Sequence, residues 1–242
     1  MCRMLVALGD FSGEALLQGL CRTAQDRNEL HELNKHRHGE FRHGDGWGLV
    51  YRESNGLRRY RSLRPCWEDP RLPEFAGKEL VMLHARRASP ESPVILANVH
   101  PFQAKFAGRR WFLCHNGTLH EQLPEFAGLE GTTDSERLLH LLLQNYDEQH
   151  DLEGIAAVVG GLRDYTSLNL FLLNDLRLYV LNLYRKHPRY HTLWLGHAED
   201  GLVIASERLN LGETPVDWEP LENGTLLRLD HDGVIEQAIR IQ

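Results

Sequence analysis

An uninterrupted apolar run, Met4-Leu5-Val6-Ala7-Leu8, begins four residues into the chain. With no polar residue alternating through it, the run suits a strand buried on both faces, which needs a layer of structure on either side. A chain of 242 residues is long enough to bury such a core. Directly ahead of the run stands Cys2, at the mouth of the strand. If Met1 is removed, Cys2 carries a nucleophilic thiol and an α-amine of reference pKa about 8 that can move a proton at neutral pH. One residue then supplies nucleophile and base. Alone, a cysteine at this position is as readily an inert small hydrophobe.

Further short runs at 47–51, 57–60, 80–83, 111–114, 167–173, 177–184, 192–195, 202–205, 225–229 and 234–240 read as strands. Ser54-Asn55-Gly56 and Asn174-Asp175 are the turns of two hairpins. Ser12 as an N-cap ahead of Leu16, Leu17 and Leu20 predicts a helix ending before Asn34. Residues 35–45, with His36, His38 and His43 among glycines, read as a loop. Thr133 and Glu136 form a capping box before a leucine run, which puts Asp134 in the first helical turn. Residues 152–159 predict a short helix closed by Gly160 and Gly161. No linker, low-complexity stretch or repeat interrupts this order. It predicts a single domain over residues 2–242, with largely antiparallel sheets covered by helices.

A net charge of −7 leaves no electrostatic footprint for nucleic acid. No apolar stretch approaches a membrane span or a secretory signal, so the expected location is cytoplasmic, with no membrane partner and a small-molecule substrate. Cys2, Cys21, Cys66 and Cys114 make no CxxC pair, which argues against a disulfide framework or a zinc ribbon. The three loop histidines lack a helical i, i+4 pair, and neither metal nor cofactor is assigned.

Polar residues gather where the apolar runs end: Cys2, then His43-Gly44-Asp45-Gly46-Trp47-Gly48, His84-Ala85-Arg86, Asn98-Val99-His100-Pro101-Phe102, His115-Asn116-Gly117 and Thr133-Asp134-Ser135-Glu136. Their order and spacing resembles the class II glutamine amidotransferases, N-terminal nucleophile hydrolases that release ammonia from the glutamine side-chain amide. The likeness covers Cys2 to Glu136, and Ala205-Ser206-Glu207 is similar to a later segment of the family. The Asp-Gly-Trp-Gly and Asn-x-His-Pro-Phe wording resembles most the stand-alone branch that includes γ-glutamyl amide hydrolases of ergothioneine synthesis and glutathione breakdown.

The resemblance implies an α+β fold, a four-layer αββα sandwich, and a role for each matched residue. Cys2, freed of Met1, attacks the amide carbon to form a γ-glutamyl thioester, and its α-amine passes the proton to the leaving ammonia. The Asn116 side-chain amide and the Gly117 N–H form the oxyanion hole. Arg86 pairs with the substrate α-carboxylate, Ser89 sets a hydroxyl near it, and Asp134 receives the α-ammonium. His84 and His100 take no catalytic role, and Trp47 packs the pocket floor. Without the resemblance, a strand ending in Asn116-Gly117 reads as a hairpin turn. Cys114 and His115 point to opposite faces of a strand, so Cys114 is core, and Arg87 projects away from Arg86 for the same reason. Arg42-His43 stands where the purine and amino-sugar enzymes have Arg-Gly, so no substrate contact carries over to either residue. The length leaves no residues for a synthase domain. Either a partner protein accepts the ammonia or the hydrolysed γ-glutamyl compound is the product. Glutamine is the default substrate and a larger γ-glutamyl peptide or amide the alternative. A non-catalytic ligand-binding or regulatory module, which keeps the grip but lacks a processed thiol, is the alternative of another class.

Overall fold

The computed structural model describes residues 2–199 and 201–241. Two antiparallel sheets lie face to face. The first runs, edge to edge, β11 (Asp217–Pro220), β9 (Trp194–Ala198), β10 (Gly201–Ala205), β1 (Arg3–Gly9), β4 (Glu79–Ala85), β2 (Trp47–Glu53) and β3 (Gly56–Ser62). The second runs β13 (Ile235–Arg240), β12 (Thr225–Leu229), β8 (Leu178–Asn182), β7 (Tyr165–Leu173), β6 (Arg109–Leu119) and β5 (Phe102–Phe106). Helix α1 (Gly13–Ala24) covers the outer face of the first sheet, and α3 (Asp134–Gln144) and α4 (Asp151–Gly161) cover that of the second. The expected four-layer αββα sandwich is therefore what the chain forms. No helix among the described residues is long and apolar enough to cross a membrane.

Strand alternation explains the layers. In β1, Met4, Val6 and Leu8 face the space between the sheets, while Leu5 and Ala7 face α1. Central in its sheet and buried on both faces, β1 is the strand the opening run required. The same alternation sends Phe112, Cys114 and Phe171 into the inter-sheet core, and Leu113, Leu168 and Leu170 toward α3 and α4. Helix α1 presents Leu16, Leu17 and Leu20, each at most 3 % exposed, which is roughly 1.5–3 kcal/mol of burial per side chain.

Three local expectations are corrected. The first helix does not continue to Asn34: Asp26 adopts φ 57°, its carboxylate accepts from Asn34 Nδ2, and a second helix, α2 (His31–His38), follows the break. Residues 35–38 are thus helical rather than loop. Helix α2 buries only Asn34, so it carries no apolar stripe by which sequence could find it. Asn116 and Gly117 are not a turn. Strand β6 runs through them to Leu119 in register with β7, and neither has positive φ. Gly117 is glycine because a Cβ there would lie 1.8 Å from the Ser167 carbonyl oxygen. At α3, Thr133 caps the helix by accepting from the Glu136 N–H (3.2 Å), but the box is not reciprocal: Glu136 accepts from the Glu130 and Gly131 N–H groups (2.8 Å each) and pins the preceding loop. Strands β5 and β11 were unforeseen; β11 is a short edge strand ending in Pro220.

Candidate active site

Cys2 precedes β1 and is 8 % exposed. Its main chain is clamped by residues from the far end of the sequence. Ser206 donates its N–H to the Met4 carbonyl (3.0 Å) and accepts the Met4 N–H on its hydroxyl (3.1 Å). Fully buried Arg3 pairs with buried Glu207 (Nε–Oε1 2.6 Å) and reaches back to the Cys2 carbonyl (3.4 Å). Glu207 also accepts from Asn28 Nδ2 (2.9 Å). Burial raises its pKa against the opposing pull of Arg3.

The sheets meet at this point. Asn116, on the face of β6 that looks toward the first sheet, accepts the Cys2 N–H on Oδ1 at 2.6 Å. Its buried Nδ2 has no protein partner and is free to donate. The thiol makes a weak contact with the Arg87 carbonyl (3.8 Å).

Arg86 follows the end of β4. Its N–H donates to the Gly46 carbonyl (2.8 Å) and its carbonyl accepts from Asp45 (3.0 Å). The Asp45 carboxylate then fixes the next loop through the Ala88 N–H (2.8 Å). The Arg86 guanidinium donates to Ser92 Oγ (2.7 Å) and the Pro93 carbonyl (3.4 Å). Burial lowers its pKa, opposed by the charges of Cys2, Asp45 and Asp134. Asp134, first residue of α3, accepts from its own helix at Ser135 N–H and from Leu119 N–H of β6 (2.8 Å each), so its carboxylate is held at the junction of helix and strand.

A narrow cleft of about 80 Å³ is lined by Cys2, Arg86, Ser89, Gly117 and Asp134 together with Arg87 and Ser92. It shares Ser89, Ser92 and Asp134 with an open groove of about 370 Å³ beside it. With Asn116 bonded to Cys2, every residue singled out for catalysis or substrate binding converges here. A larger hollow of about 750 Å³ opens at the other end of β1, around Asp10, Arg52 and Lys78, but it offers no nucleophile. Chemistry, not size, selects the site.

Some assignments change. Ser92 holds Arg86, while Ser89 lines the cleft as an exposed residue; Ser-Pro-Glu-Ser-Pro carries no signal to choose between the two serines. Trp47 is packing, but on the α1 side of the sheet, bonded through Nε1 to Asp69 (2.8 Å), and does not form the pocket floor. Arg87 diverges from Arg86 yet lines the same cleft from its other side. Cys114 is core, its thiol pKa pushed up by burial, and His115 faces α3.

The histidines brace the site. His84 and His100 stack with ring centroids 4.1 Å apart, and His84 Nε2 lies 3.4 Å from the His115 carbonyl. His115 spans Ser135 Oγ (2.8 Å) and the Ser167 carbonyl (3.2 Å), tying β6 to α3 and β7. Burial pushes His84 down to about 3 and lowers His43, His100 and His115, so these rings are neutral at neutral pH.

An αββα sandwich with a cysteine leading its central strand defines the class of N-terminal nucleophile hydrolases. The family model "Glutamine amidotransferases class-II" matches residues 29–168, and the chain belongs to that family of enzymes. YafJ of Escherichia coli (strain K12) is 35 % identical over 119 residues, covering 43 % of this chain and 45 % of YafJ; that match and the next span about half the length of those relatives. The gamma-glutamyl-hercynylcysteine sulfoxide hydrolase of Mycobacterium tuberculosis (strain CDC 1551 / Oshkosh) is 26 % identical over 99 % of this chain and 97 % of its own. Among solved structures, an allosteric regulatory enzyme of purine biosynthesis superposes with TM-score 0.69 at 15 % identity over 99 % of this chain and 49 % of that one. A class-II domain protein from Silicibacter pomeroyi gives 0.62 at 18 % identity over 100 % and 99 %.

Proposed function

We propose that this chain is a cysteine-dependent amidohydrolase that cleaves a γ-glutamyl amide through a thioester on Cys2, acting as one domain over residues 2–242. The observation that carries the reading is the convergence on one cleft of a thiol, an uncommitted buried amide donor, a guanidinium and a carboxylate. With Met1 removed, the Cys2 nitrogen that now donates to Asn116 is an α-amine in the same residue as the thiol. The amine takes the thiol proton as sulfur attacks the amide carbon. Charge builds on the carbonyl oxygen, where Asn116 Nδ2 and the Gly117 N–H donate to it. The C–N bond breaks, the amine leaves with that proton, and water attacks the thioester to give glutamate and restore the thiol. Arg86 and Asp134 hold the two poles of the glutamyl end, and Ser89 sits beside Arg86's carboxylate partner.

Glutamine is the simplest substrate of this site. The relative aligned over nearly the whole of both chains is a hydrolase of a larger γ-glutamyl compound, which favours such an amide over glutamine. In that reading no ammonia-accepting partner is needed. The test is glutamate release from glutamine and from γ-glutamyl amides by protein whose intact mass shows loss of Met1. Turnover that vanishes in Cys2→Ala is expected; turnover that survives it, or a fully active protein retaining Met1, refutes the mechanism.

A further inference from the structure

Arg86 and Asp134 fix where the glutamyl end lies, so the group that leaves must lie beyond the Cys2 thiol, on the opposite side of the cleft. Arg87 stands there. Its carbonyl is the group 3.8 Å from Cys2 Sγ, and its guanidinium lies flat over the Phe41 ring, 4.1 Å from the centroid. The hydrogen bond it makes is to the Arg42 carbonyl (3.4 Å), and among the described residues no carboxylate comes within ion-pair distance of it. Neighbouring Arg42, by contrast, is paired with Glu40.

Around Phe41 stand further groups that the hydrolytic mechanism does not use. His43 lies edge-on at 5.3 Å between centroids and Tyr190 at 6.1 Å. His43 is 1 % exposed and Tyr190 2 %, and both His43 ring nitrogens and the Tyr190 hydroxyl have no hydrogen-bond partner. Burial keeps His43 neutral, leaving Arg87 as the cation of this wall. A planar cation backed by an aromatic ring, beside unengaged polar groups, is suited to a carboxylate rather than to ammonia.

We propose that Arg87, seated on Phe41, is the subsite for the leaving half of the substrate, and that the leaving amine carries a carboxylate: the substrate is a γ-glutamyl amide of an amino acid or peptide. This rests on the hydrolase reading above. Glutamine offers Arg87 nothing to bind.

The test compares γ-glutamylglycine with γ-glutamylmethylamide, which share the N-alkyl amide and differ in the carboxylate. Wild-type kcat/KM is expected to favour γ-glutamylglycine by about tenfold or more. Arg87→Gln is expected to bring that ratio close to one, and Arg87→Lys to retain part of it. A wild-type ratio near one, or a ratio that Arg87→Gln leaves unaltered, overturns the proposal. Calorimetric binding of the same two compounds to Cys2→Ala, with and without Arg87→Gln, reads the subsite independently of turnover. Selective weakening of γ-glutamylglycine supports it and equal weakening refutes it. Absence of hydrolysis in the wild type would refute the hydrolase reading alone.

Discussion

Asn116→Ala is expected to lower kcat on a γ-glutamyl amide by about a thousandfold. Two atoms are lost. The buried Nδ2, which has no protein partner, is the side-chain donor available to the oxyanion, and removing one such donor typically costs about 3 kcal/mol of transition-state stabilisation. Oδ1, which holds the Cys2 nitrogen at 2.6 Å, contributes about 1 kcal/mol as an ordinary hydrogen bond. Together about 4 kcal/mol at about 1.4 kcal/mol per decade gives the thousandfold loss. Arg86 and Asp134 are anchored by Ser92, Ser135 and Leu119, so the grip on the glutamyl end persists and KM moves little. Asn116→Asp separates the two contributions, because it keeps an oxygen for Cys2 but replaces the donor with an acceptor; it is expected to be no more active than Asn116→Ala. Steady-state glutamate release with single-turnover controls measures both variants. A kcat within about tenfold of wild type for either, or a loss confined to KM, refutes the oxyanion assignment.

The substrate grip predicts the opposite split: Arg86→Ala or Asp134→Ala should raise KM by about 10- to 100-fold, the worth of one charged hydrogen bond, in initial-rate assays. Glu207→Ala strands a buried Arg3 and should cost about 3–5 kcal/mol of stability in a urea titration, with Glu207→Gln milder. Acid should destabilise the fold through the buried histidines. His84 is pushed down to about 3 and His191 to about 4, so below pH 6.5 the unfolded chain binds protons that the folded chain refuses. Stability present above pH 6.5 is then lost as pH falls, by about 1.4 kcal/mol for each of the two between pH 7.5 and 5.5. Denaturant midpoints at those two pH values check it, and an unchanged midpoint would count against neutral burial.

Much of the site was legible because its chemistry sits at the ends of apolar runs, where a change from buried strand to polar tip is visible in the letters. Cys2, Arg86, Asn116-Gly117 and Asp134 all have that signature. What supports them was not legible. Ser92 holding Arg86, Asp45 bonding Ala88, and Glu207 pairing with Arg3 are contacts between segments that only the folded chain brings together. Asn116-Gly117 misleads when read locally: the dipeptide favours a turn, but pairing with β7 keeps it in the strand, and the glycine answers to the Ser167 carbonyl. Helix α2 was lost for the converse reason, since a helix that buries a single asparagine has no periodic stripe. Likewise β5 alternates Phe102, Ala104 and Phe106, a strand hidden beside a polar motif.

The clamp on Cys2 also sets an order of events during synthesis. The nucleophile is among the first residues made, yet the groups that seat it, Ser206 and Glu207, follow β10, and Met4 and Ser206 are 202 positions apart. While the ribosome is still adding the middle of the chain, β1 lacks one of its two neighbouring strands. A nascent chain therefore holds no assembled catalytic centre. Trimming of the first residue has a natural interval, which closes when β10 is delivered and zips along β1.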